Sequence, residues 1–322
     1  MRRVVRIVLA VTLLVTVASS AAAQQVSQPK RVGLVLSSPT TAAPYLSAVR
    51  DGLRELGWID GQNLVLEPRY YEGKLDRIAE ITAELVGLRV DVIVTGGVPP
   101  TRAIKQATAT TPIVVAAATD PAGTGLVTAG GNVAAFDVLP PDSAVKQLAL
   151  LREVLPRLSR VALVWNGSNP ASQLNSRRVR EAAQATGIDI VPVEVPGPAQ
   201  VEAAMVNLRG QGAQAIFLVA DPQFFSQRKR IGELTRASGL PTICQEGDFA
   251  DAGSLMSYGA NVVHMFRQSA SYVDRILKGA RPADLPIGPP TRFELLINVA
   301  AAKTIGLTIP QSVLSRADRL ID

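Results

Sequence analysis

Cysteine and histidine occur once each in these 322 residues, and aromatic side chains make up only 4%. One cysteine, Cys244, excludes an intramolecular disulfide. It lies in an apolar run, where a thiol reads as a small buried hydrophobe rather than a nucleophile. The single histidine, His264, stands in a helical pattern without a second histidine for a zinc site. No H-E-x-x-H, G-x-S-x-G or G-x-x-x-x-G-K-[ST] pattern occurs, and Gly123-Thr-Gly125 lacks the third glycine of a dinucleotide fingerprint, with Thr128 in its place. These absences argue against an enzyme and against a metal or other cofactor. Scarce aromatics disfavour stacking on nucleobases. Basic residues are scattered except for Arg228-Lys-Arg230, which reads as a solvated helix face, so nucleic acid is not an expected partner.

What is present begins with a leader. Arg2, Arg3 and Arg6 precede a short apolar run from Ile7 to Val17, and Ala21-Ala-Ala23 fits a small-residue cleavage site. The pattern predicts a signal peptide over residues 1–23 and export, with the periplasm as the working compartment. Its removal takes away three arginines and no acids, leaving 30 basic against 27 acidic side chains, or +3.

The rest of the chain is written twice. Arg31-Val-Gly-Leu-Val-Leu-Ser-Ser38 is echoed by Arg160-Val-Ala-Leu-Val-Trp-Asn-Gly-Ser168. Asp91-Val-Ile-Val-Thr-Gly-Gly97 is echoed by Gln214-Ala-Ile-Phe-Leu-Val-Ala-Asp221, and Thr111-Pro-Ile-Val-Val-Ala-Ala117 by Leu240-Pro-Thr-Ile-Cys-Gln245, with a strand expected at 242–245. Between these apolar strands run amphipathic helices, as at 74–88, where Leu75, Ile78, Ala79, Thr82, Leu85 and Val86 share a face. Further helices are expected at 142–154, 171–186, 198–209 and 224–237. Alternating strands and helices build parallel sheets by right-handed crossovers. The expected fold is therefore α/β, with two Rossmann-like doubly wound lobes. The stretch 255–322 lies beyond the echo, with a helix at about 262–278 and an amphipathic region at 293–307, and is expected to cross between lobes again.

In open α/β sheets, ligands bind beyond the carboxyl ends of the strands. Those ends read Ser37-Ser38, Thr95-Gly96-Gly97, Thr119-Asp120, Asn166-Gly-Ser168-Asn169, Asp221 and Glu246-Gly-Asp248. They are polar and glycine-rich, although Ser, Thr and Asn also cap helices. Hydroxyls and helix N-termini suit a carboxylate, and Asp120 or Asp221 suits an ammonium group. A small zwitterion such as an amino acid satisfies both. Tyr45, Trp165, Phe224 and Tyr258 lie near strand ends and are candidates for an apolar wall, with Tyr258 also a candidate hinge residue.

Several blocks resemble the substrate-binding proteins of ABC transporters of the tryptophan/tyrosine type. They are Gly52-Leu-Arg-Glu-Leu-Gly-Trp-Ile-Asp-Gly-Gln-Asn63, Asp91-Val-Ile-Val-Thr-Gly-Gly97, Thr119-Asp-Pro121, Leu255-Met-Ser-Tyr-Gly259, Tyr272-Val-Asp-Arg-Ile-Leu-Lys-Gly279 and Phe293-Glu-Leu-Leu-Ile-Asn298. The family usually carries a longer loop ending in a Pro-Gly-Gly-Asn-like run, where this chain has the short Thr128-Ala-Gly-Gly-Asn132. The resemblance implies a type I periplasmic binding protein, with residues 30–138 and about 256–284 in one lobe and 139–255 and about 285–322 in the other. It implies a monomer that closes over a small organic ligand, an amino acid or aromatic carboxylate, and delivers it to an ABC permease in the inner membrane. A ligand sensor for a membrane receptor and an exported carboxylate-dependent hydrolase are the alternatives.

Overall fold

The computed structural model describes residues 28–140, 142–196, 200–206 and 208–322. The expected signal peptide therefore lies outside the described residues, as do positions 198, 199 and 207 of the helix expected at 198–209.

The first sheet is built from β1 (Lys30–Leu36), β2 (Leu64–Tyr70), β3 (Val92–Thr95), β4 (Ile113–Ala118) and β5 (Val133–Asp137). They lie in the order β2-β1-β3-β4-β5, all parallel. Connecting them are α1 (Pro39–Glu55), α2 (Arg77–Gly87) and α3 (Val98–Ala107). A parallel sheet is covered on both faces, and the strands are apolar on both sides accordingly. Val32, Leu34, Val92 and Val94 pack with Val49 and Leu53 of α1 on one face. Val35, Ile93 and Ile113 pack with Ile78, Ile81, Leu85 and Ile104 on the other.

The second sheet repeats the plan. After α4 (Ser143–Val154) come β6 (Arg160–Asn166), α5 (Pro170–Ala185), β7 (Asp189–Val195), α6 (Val201–Met205) and β8 (Ala215–Leu218). Then follow α7 (Pro222–Ser226), α8 (Arg228–Ser238), β9 (Thr242–Cys244), α9 (Gly247–Asp251) and β10 (Met256–Ala260). The order β7-β6-β8-β9-β10 matches that of the first sheet strand for strand. The repeat thus reaches β10, the counterpart of β5 in the second sheet, beyond the limit set by the sequence echo. The helix expected at 224–237 is two helices, broken at Gln227, the C-cap of α7 and N-cap of α8.

The C-terminal stretch exchanges elements between lobes. From β10 the chain passes through Asn261, whose side chain caps α10 (Val262–Leu277). Met265, Phe266, Ala270 and Val273 of that helix pack into the first lobe's core. In the same way α4, which follows β5, packs Leu148 and Leu151 into the second lobe. The chain then returns past β5, where Gly288 N–H donates to Ala135 O (3.0 Å) and Asp137 N–H to Gly288 O (2.8 Å). It forms β11 (Phe293–Asn298), α11 (Val299–Thr304), α12 (Gln311–Leu314) and β12 (Arg319–Ile321) at the edge of the second sheet.

One boundary and one element differ from the expectation. Met256–Ala260 pairs with β9 and β11 in the second sheet, so the return to the first lobe falls at Asn261 rather than about 256. Phe293–Asn298 is a strand, antiparallel to β10, within what the sequence offers as one amphipathic region. Pairing with β10 decides its conformation, and Asn298 then caps α11 by accepting from Ala301 N–H.

Candidate functional site

The carboxyl ends of the parallel strands of both sheets face each other across a cleft, and the lobes meet around it. Arg178 of α5 reaches the first lobe, donating from Nη2 to Asp120 Oδ2 (3.2 Å) and from Nη1 to Leu139 O (3.2 Å). The rings of Tyr45 on α1 and Phe225 on α7 stand 6.5 Å apart across the gap. Gly97, with φ +84° and ψ 152°, forms the N-cap of α3. A Cβ at that position would lie 3.0 Å from Pro222 Cγ, at the N-terminus of α7 in the opposite lobe. That backbone region is open essentially to glycine alone. The arrangement is a closed one.

The first lobe's wall is uncharged. Ser37, Gly96, Gly97 and Thr119 supply polar groups, and Tyr45, Tyr71, Val262 and Phe266 supply apolar surface. Tyr45 stacks on Phe266 with 4.7 Å between ring centres. The second lobe's wall carries Asn169, Asp221, Phe225, Gln245 and Glu246. Asp221 caps α7, its Oδ1 accepting from Gln223 N–H (2.8 Å) and Phe224 N–H (3.3 Å). Its Oδ2 accepts from Asn169 Nδ2 (2.7 Å), and Asn169 in turn caps α5. These caps orient both side chains from the backbone, although Asp221 is only 1% exposed.

Glu246 is held differently. Burial, with the nearby Asp248 and Asp221 carboxylates, pushes its carboxyl from 4.5 up to about 8, while Arg228 pulls it down. Burial, with Asp248 and Glu246 nearby, raises the Tyr45 hydroxyl well above its ordinary range, and burial with Asp221 and Glu246 nearby raises that of Tyr71. No lysine or arginine stands among the described residues lining the cleft. The site therefore gathers two carboxyl groups without a cationic side chain in its lining, and an ammonium group placed beside Glu246 would favour its ionised form.

Ser37, Gly96, Gly97, Thr119, Asn169, Asp221 and Glu246 of the sequence candidates come together here. The other six do not line this cleft. Ser38 spends its hydroxyl on capping α1 and on Thr41 Oγ1 (2.6 Å). Thr95 is fully buried, donating to Val35 O (2.9 Å). Asp120 turns toward Arg178 and accepts from Gly123 N–H (3.0 Å), so its carboxylate is engaged outside the cleft lining. Asn166 and Ser168 line an adjoining side cavity: Asn166 donates to Gln223 Oε1 (3.2 Å), and Ser168 donates to Pro196 O. Tyr258 sits on β10, stacked 6.0 Å from Phe293, with its carbonyl accepting from Gln147 Nε2 (2.7 Å), beside the lobe crossing.

Of the aromatic candidates, Tyr45 lines the cleft, whereas Trp165 and Phe224 belong to the core. Phe225, next to Phe224, takes the wall position. Tyr71, Phe266, Val262 and Gln245 also line the cleft and escaped the sequence reading; only the first-lobe location of α10 brings Phe266 there. Cys244 is buried, its Sγ near Glu246 O (3.4 Å), and burial raises the thiol far above its usual range. The short 128–132 loop packs away from the main cleft, with Asn132 Nδ2 donating to Thr108 O and Thr111 O (3.1 and 2.9 Å).

Comparison with known proteins adds three findings. A family model described as ABC transporter substrate binding protein matches residues 13–321. A tyrosine-binding protein of Clostridioides difficile is 22% identical over 287 residues, covering 86% of this chain and 81% of that protein. Two solved structures share the fold with a TM-score of 0.84 each, covering 91% of this chain and all of theirs. One is a conserved domain protein from Vibrio cholerae, 26% identical. The other is a domain from Streptococcus pneumonia in complex with L-Trp, 24% identical.

Proposed function

The chain belongs to the ABC transporter substrate-binding protein family, and from that premise we propose that it captures an aromatic α-amino acid for an ABC permease. Its relatives are binding proteins rather than enzymes, and the fold is that of type I periplasmic binding proteins. The observation that carries the ligand class is the lining of the cleft. Two carboxylates, Asp221 and Glu246, stand with no basic side chain among the described lining residues, and aromatic rings from both lobes lie beside them.

A cationic head group pairs with the carboxylates, and a flat apolar side chain lies against Tyr45, Phe225 and Phe266. The tyrosine-binding relative and the L-Trp complex support this choice. In this reading the protein works as a monomer in the periplasm and presents its closed form to the permease. Among the described residues no helix is long and apolar enough to cross a membrane. The site residues are Ser37, Gly96, Gly97, Thr119, Asn169, Asp221 and Glu246, joined by Tyr45, Tyr71, Phe225 and Phe266. A micromolar dissociation constant corresponds to about 8 kcal/mol, within reach of charge-assisted hydrogen bonds plus one buried ring.

A thermal-shift screen over amino acids, sugars and carboxylic acids tests the reading. L-tyrosine or L-tryptophan at a hundred times its dissociation constant is expected to stabilise by about 2.7 kcal/mol. A sugar or a plain carboxylic acid that stabilises while no amino acid does would overturn it.

A further inference from the structure

We propose that the carboxamide of Gln245 is the donor that makes the cleft select a ligand with a carboxylate beside its ammonium group, so that it prefers an α-amino acid to the matching amine. This rests on the reading of the cleft as an amino-acid site and names the residue that reads the second half of the head group.

Gln245 stands at the end of β9, only 7% exposed, and lines both the central cleft and an acidic side pocket next to it. Its Oε1 accepts from Ala220 N–H at 3.0 Å. A backbone N–H can only donate, so this bond fixes which end of the amide faces β8 and turns Nε2 away from it. Nε2 is buried and has no hydrogen-bond partner among the described residues. Buried donors are nearly always satisfied, which makes an unpaired one beside a cleft informative. The backbone below it is braced as well. A Cβ at position 259 would lie 1.9 Å from Gln245 O, so Gly259 lets β10 approach this closely.

The placement suits an α-amino acid. A carboxylate entering a cleft with no basic lining residue needs neutral N–H donors. Ala220, which orients Gln245, precedes Asp221, and Gln245 precedes Glu246. One donor and two carboxylates therefore come from two neighbouring strand ends, and an α-carbon carries its carboxylate and ammonium side by side. An amine without a carboxylate uses the acids and leaves Nε2 unpaired.

The test compares L-tyrosine with tyramine and L-tryptophan with tryptamine, by calorimetry, on the wild type and Gln245→Glu. The substitution keeps the chain length and the acceptor for Ala220 N–H but replaces the free donor with an acceptor oxygen. The expected result is a loss of about 100-fold in amino-acid affinity with amine affinity unchanged or raised, so the preference collapses. Gln245→Met, which removes the donor without adding charge, is expected to cost the amino acids about tenfold and the amines nothing. It decides the matter if melting curves show that Gln245→Glu does not fold. Amino acid and amine falling together in both variants, or amino-acid affinity left intact, would overturn the proposal and assign the carboxylate to the first lobe's amides and hydroxyls. A wild type that binds none of the four overturns the ligand class as well. Intact binding by the variants overturns the role of Gln245 alone.

Discussion

The two lobes share one strand order yet differ in charge at matching strand ends. After β3 the first lobe reads Gly96-Gly97, and after β8 the second reads Ala220-Asp221. Gly97 and Asp221 occupy the same N-cap position, before Val98 and Pro222. After β4 comes Thr119; after β9 come Gln245 and Glu246. The repeated fold supplies the frame, and substitutions at equivalent ends divide the labour. One lobe offers an apolar, hydroxylated wall, and the other carries the carboxyl groups.

The asymmetry has consequences in order of size. Glu246→Gln removes one partner of the expected ion pair and is expected to cost about 2–5 kcal/mol of affinity for L-tyrosine, roughly 30-fold or more. At the matching end of the first lobe, Thr119→Val is expected to cost less than about fivefold, the scale of one neutral hydrogen bond. Equal losses in calorimetry would break the comparison.

Next comes pH. The Glu246 carboxyl, raised to about 8, must ionise to pair with an ammonium. Affinity is therefore expected to rise by about tenfold per unit from pH 6 and to level off above 8. Stability of the ligand-free protein runs the other way. A carboxyl whose folded value lies above its ordinary 4.5 holds a proton that the unfolded chain gives up, so stability falls as pH rises from about 4.5 to about 8. Glu246→Gln should flatten both curves, in titrations and in thermal melts.

Gly97→Ala strains the backbone by about 1–3 kcal/mol and brings a methyl group against Pro222. Melting reports the strain, and lost ligand affinity reports the part that belongs to the closed contact. Cutting the Asp120–Arg178 pair with Arg178→Met is expected to have the smallest effect. The pair is partly exposed, and about 0.5–1 kcal/mol would appear as two- to fivefold faster ligand release in stopped flow.

The frame was legible because buried parallel strands are written as apolar runs, and Arg31 and Arg160 open two of them. The chemistry was legible only in part. Asp120 and Asp221 both precede proline at strand ends, yet Asp120 turns to Arg178 and Asp221 caps α7 within the cleft. Nothing local separates them, because Arg178 arrives from the other lobe. Gln245 reads as the last residue of a strand until Ala220 N–H and the close approach of Gly259 fix its amide. Phe266 enters through α10, and its place depends on a chain crossing that periodicity alone does not mark. The strand at 293–298 was hidden because six apolar-rich residues suit helix or strand equally, and pairing with β10 decides.

In the proposed complex the second lobe's carboxylates hold an ammonium group. Titrating the wild type at pH 8 with L-tyrosine and with 3-(4-hydroxyphenyl)propionate, which lacks only that group, tests it most directly. The expected result is one-to-one binding of tyrosine and a loss of about 100-fold or more for the propionate. Comparable affinity for both compounds would contradict it.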